Sequence, residues 1–287
     1  MATLIQVLLK LSIVLVEFCL GLKSDPHDAI YLFQRPGQLL RSLLSMYIVM
    51  PSFALLLAIV FDLRPALEIA LIALAVSPIP PLVPKNVLKA GGEHPYALGL
   101  LVAAALFAVV FIPSVLELLG GAFGLRIGMS VSAIALLVLT TALLPIGAGI
   151  GARYIAPGLA DRIVGPLSSI GMLLLVASIV SILFTAWPDI LSVIGSGTII
   201  AIIAFVAIGI ASGELLGGPG GRDGAVLALS TASRHPGIAI AITRVNFPGL
   251  KNVSAAVLTY VIVSALAMIP YIVWSRRRVR VAVSRPL

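Results

Sequence analysis

Two cations in this sequence each stand beside an interrupted apolar run. Lys85 follows Ser77-Pro78-Ile79-Pro80-Pro81-Leu82-Val83-Pro84 and precedes Asn86. Arg234 closes Ser230-Thr231-Ala232-Ser233 and precedes His235-Pro236-Gly237. A cation in such a place can do two things. Its N–H donors can satisfy the carbonyls that a broken helix leaves open. It can instead bind an anion, helped by the positive end of the half-helix that follows. Arginine suits a carboxylate because its fork makes two parallel bonds. Both roles stay open here, next to the plainer one of snorkelling or local pairing. His235 is a candidate proton carrier or, more simply, a hydrogen-bonding spacer. Ser230, Thr231 and Ser233 are candidates to line a site, but small hydroxyls also let helices pack closely. Glu17 and Lys10 lie seven apart, two turns on one face. Snorkelling or pairing is the reading there, with a coupling carboxylate as the alternative.

Enzyme chemistry has little support. HExxH, P-loop and GxSxG motifs are absent. The single cysteine, Cys19, permits neither an intrachain disulfide nor a metal cluster. No enzyme, cofactor or metal site is expected.

The elements that must hold these residues follow from composition. Of 287 residues, 60% are hydrophobic and 10% charged, against roughly 25% charged in a soluble protein. With a mean hydropathy of +1.17 there are too few polar side chains to solvate a globular surface. A soluble enzyme, a disordered chain and a coiled coil are excluded. The fold class is an all-α polytopic membrane protein with the lipid bilayer as partner. About 20 apolar residues span the hydrocarbon. That gives nine spans, near 3–22, 38–61, 65–90, 96–119, 127–151, 162–186, 188–211, 222–246 and 252–275, with a tight turn at Trp187-Pro188. The start lacks the basic segment and cleavage site of a signal peptide.

The net charge of +8 describes topology, not nucleic-acid binding. The positive-inside rule puts the C-terminal arginines in the cytoplasm. Twelve cations then fall inside: Lys23, Arg35, Arg41, Lys89, Arg153, Arg162, Arg222, Arg276, Arg277, Arg278, Arg280 and Arg285. Four fall outside, Arg64, Arg126, Arg244 and Lys251, and Lys10, Lys85 and Arg234 lie within spans. This predicts an inner-membrane protein with its N-terminus outside. Tyr260, Tyr271 and Trp274 read as interfacial anchors, and Gly217 to Gly221 as a cytoplasmic linker.

Only a break that lines a protein cavity is tolerated in lipid. Pro78, Pro80, Pro81 and Pro84 cannot belong to one continuous helix, and Pro236 with Gly237 marks a second interruption. Each break is the third of four spans. Five spans separate corresponding members, so the copies point in opposite directions, as in the inverted repeats of secondary transporters. The organisation is a first repeat over 1–119, a linking span over 120–156, a second repeat over 157–275 and a basic cytoplasmic tail over 276–287.

At these residues the sequence resembles the bile acid:sodium symporter family, over nearly the whole chain. The likeness is carried by Gly21-Leu22-Lys23 through Arg35-Pro36, by Tyr47-Ile48-Val49-Met50-Pro51, by Pro78 and Asn86 on the first broken helix, and by His235-Pro236-Gly237-Ile238 on the second. It resembles the nine-span members, which lack the first helix of ten-span ones. The resemblance implies a panel domain, a core domain in which spans three and eight cross, and organic anions moved with sodium. The departures matter as much. Lys85 stands where the family has serine, before the retained Asn86. Ser230 stands where it has glutamate, and Arg234-His235 where it has glutamine-asparagine. Leu98 to Ile112 holds no serine or threonine. Sodium prefers oxygen ligands, and these are depleted. The expectation is a secondary transporter of a small organic anion, sodium-independent, with Lys85 and Arg234 in place of sodium at the crossover. A sodium symporter with displaced ligands and a non-transporting ligand sensor are the alternatives.

Overall fold

The computed structural model describes residues 2–123, 130–195, 197–218, 221–250 and 252–283, and every regular element among them is a helix. Arg126, Lys251, Arg285 and the Pro219-Gly220 part of the glycine-rich turn lie outside the described residues. In chain order come α1 (Ala2–Leu22), a short α2 (Pro26–Ile30), α3 (Pro36–Val60), the broken pair α4 (Pro65–Val76) and α5 (Val83–Lys89), and α6 (His94–Phe123). Next is α7 (Ser132–Ile155). Then follow α8 (Pro157–Thr185), a short α9 (Trp187–Val193), α10 (Thr198–Gly217), the broken pair α11 (Arg222–Ala232) and α12 (Pro236–Asn246), and α13 (Val253–Val283). Eight spans are long and apolar enough to cross a membrane, with α11 and α12 counted together; α4 and α5 supply the ninth expected one.

Two boundaries differ from expectation. The seventh span begins at Thr198, not at 188, because Trp187–Val193 forms its own short helix. Gly195 and Gly197 then turn the chain at φ +136° and +80°, a region that favours glycine. The basic segment after 275 is helical to Val283 and continues the last span.

Both breaks follow from local chemistry. The Ser77 hydroxyl donates to the carbonyls of Ala73 and Leu74 at 3.0 and 2.8 Å, capping α4. The prolines behind it supply no N–H and forbid another turn. In the second span Ser233 and His235 are extended, with ψ +126° and +102°, and Pro236 opens α12.

The helices sort into two groups. α1 packs on α7 and α8. The approach to α7 is close enough that a Cβ on Gly21 would lie 2.2 Å from the Ile146 carbonyl oxygen. The other group holds α3, α4, α5, α6, α10, α11, α12 and α13. Inside it α4 packs on α12 and α5 on α11. The apolar stretch of α11–α12 is 78% buried, against 17% for α8. The second broken span is therefore the centre of the larger group. Small residues bring α10 against α11: a Cβ on Gly213 would lie 2.4 Å from the Ala228 Cα.

Candidate functional site

The two breaks meet. The His235 N–H donates to the Pro78 carbonyl at 2.9 Å, one backbone bond joining the gap in each span. Arg234, one residue earlier, is 1% exposed. Its Nη1 donates to the Ser77 carbonyl at 3.2 Å, and its Nη2 to the Met46 carbonyl at 2.6 Å. Its backbone N–H donates to the Tyr260 hydroxyl at 2.9 Å, and that hydroxyl donates to the Ala232 carbonyl at 2.7 Å. One residue thus ties α4, α3 and α13 to the second gap.

Each acceptor is one the sequence left open. Ser77 and Pro78 lie past the end of α4, where helix carbonyls lose their partners. Met46 lies in a π-helical turn, Leu44–Val49. In π register its carbonyl looks five residues on, to Pro51, which has no N–H. The Tyr47-to-Pro51 stretch thus presents a spare oxygen inside the core, and the guanidinium takes it up.

The other expected site residues divide. His235 is 7% exposed, and its Nδ1 accepts the Ile238 N–H at 3.3 Å, so the ring caps α12. Thr231 exchanges a 3.0 Å hydrogen bond with Ser45, which in turn meets Ser212 at 3.1 Å. Ser233 donates to the Met268 sulfur at 3.3 Å. These contacts make two of the three hydroxyls part of helix packing. Ser230 is buried with its Oγ unpartnered among the described residues, as is the Nε of Arg234.

Lys85 corrects the expectation. Its side chain is exposed and makes no hydrogen bond or ion pair with any described residue. The reason is helical geometry: Val83, Pro84 and Val87 turn inward, and Lys85, Leu88 and Lys89 occupy the opposite face of α5. Asn86 is half-buried and contributes its backbone carbonyl to the end of α5. The pairing of Glu17 with Lys10 is not formed either. Glu17 is 1% exposed with one carboxyl oxygen unpartnered among the described residues, and Lys10 is exposed.

Tyr260 was expected as an interfacial anchor and is instead the hydroxyl bridge of the crossover. Tyr271 donates its hydroxyl to Glu214, and Arg278 stacks over Trp274 at 4.7 Å. No sequence signal pointed to the Met46 carbonyl except the proline five residues on.

The fold and this junction define a polytopic membrane protein organised around two broken helices that touch. The family model described as Sodium Bile acid symporter family matches residues 10–187, more than half the chain, and the chain belongs to that family. It is a membrane transporter of the bile acid symporter type. The match contains the first broken span and ends before the second, so Arg234 and His235 lie beyond it. Among curated proteins none matches the chain.

Proposed function

We propose that this transporter moves a small organic anion by alternating access without sodium, and that Arg234 alone does the work of the missing cations. The single observation that carries the reading is the guanidinium donating to the Ser77 and Met46 carbonyls from a buried position at the junction. A fixed positive charge on backbone oxygens is what a coordinated cation would otherwise supply. Nη1 and Nη2 each donate to a backbone carbonyl and the side chain is buried at the junction, which favours this role over direct substrate binding. Lys85 drops out of the mechanism. The order long, short, long, broken, long occurs twice, from α1 to α6 and from α8 to α13, and supports reading the chain as two inverted repeats that rock against each other.

The test is uptake of labelled carboxylates into proteoliposomes containing the purified protein, with sodium or choline as the sole external cation. Equal initial rates are expected. A strict sodium requirement overturns the proposal.

A further inference from the structure

The face of α5 that Lys85 shares leads to a second site. Next to the C-terminal end of α5 lies a cleft of about 360 Å³ lined by Leu88, Lys89, Gly91, Arg276 and Val279. Its walls are fastened together. The Ser275 hydroxyl donates to the Ala90 carbonyl at 3.0 Å, and Gly91, at φ +91°, lies so close to α13 that a Cβ there would sit 3.1 Å from Val279. The cleft is therefore part of the packed structure and not a gap between loose ends.

Two cations line it, and neither the Lys89 nor the Arg276 side chain makes a hydrogen bond or ion pair with any described residue. Glu93 pairs with Arg222 at 3.5 Å, and Glu214 with Arg278 at 3.3 Å and with Tyr271. Two like charges on one cleft repel unless an anion lies between them. Leu88, 47% exposed, and Val279 add apolar wall beside the charges. Lys85 extends the same face one turn, about 6 Å, back along α5 towards the break. Cations flanked by exposed apolar side chains at the end of membrane-spanning helices fit a headgroup phosphate with its acyl chains alongside.

We propose that the cleft between α5 and α13 binds the phosphate of an anionic phospholipid through Lys89 and Arg276. The site is separate from the helix crossover and does not rest on the sodium-independent reading. Because α5 is the second half of a broken span, the lipid holds that half-helix to α13.

The test uses the full-length protein in neutral detergent, titrated with phosphatidylglycerol or phosphatidylcholine of matched chains, with bound lipid read by native mass spectrometry. Phosphatidylglycerol is expected to bind more tightly. Lys89→Gln and Arg276→Gln should each weaken it about fivefold, the worth of one interfacial cation. Lys89→Arg should retain binding, and Arg162→Gln, exposed on α8, should not alter it. Millimolar inorganic phosphate should leave the lipid bound. Unchanged affinity in the Lys89→Gln/Arg276→Gln double variant overturns the proposal, as does a loss in Lys89→Arg equal to that in Lys89→Gln. Displacement by inorganic phosphate also overturns it and makes the cleft a site for soluble anions.

Discussion

The two breaks look alike in sequence, a proline interruption with a cation beside it, yet the structure uses them in opposite ways. The first gap is rich in proline and therefore poor in N–H groups. Its contribution is acceptors, the Ser77 and Pro78 carbonyls. The second gap has one proline and supplies donors, the His235 N–H and the Arg234 guanidinium. Each gap caps one helix end from within, through Ser77 and His235, and the carbonyls left at the first are taken up by donors of the second. The cations differ for a related reason. Arg234 stands in the extended segment between two half-helices, where a long side chain reaches across the crossing. Lys85 stands inside α5, where the helix fixes its direction, and the apolar stripe of Val83, Pro84 and Val87 takes the inward face.

Substitutions at three positions test that contrast. The largest effect belongs to Arg234→Ala, which leaves two buried carbonyls without donors. A loss of at least about 3 kcal/mol is expected, read as a fall in melting temperature of the detergent-solubilised protein. Tyr260→Phe removes only the hydroxyl that joins the Arg234 N–H to the Ala232 carbonyl. It should cost about 1–3 kcal/mol in the same measurement. Lys85→Ala should change stability by less than about 0.5 kcal/mol, as expected for an exposed side chain without partners. If Lys85→Ala were as damaging as Arg234→Ala, the two breaks would be equivalent and the contrast would collapse.

Much of this was legible beforehand. Hydropathy located most of the spans and prolines located both breaks. The short helix Trp187–Val193 was missed because an apolar run does not reveal where it turns. The exposure of Lys85 was readable from the spacing of Val83 and Val87. The role of Tyr260 was not, since its partners are 26 and 28 residues away along the chain.

The sequence by itself determined that the chain lives in lipid, that two of its spans are broken, and that open carbonyls must remain at each break. These are local consequences of apolar run length and of proline's missing N–H. Only the tertiary structure decided which donor meets which carbonyl. That choice depends on how α3, α4, α11 and α13 cross, and it gave the Met46 oxygen to an arginine 188 residues away.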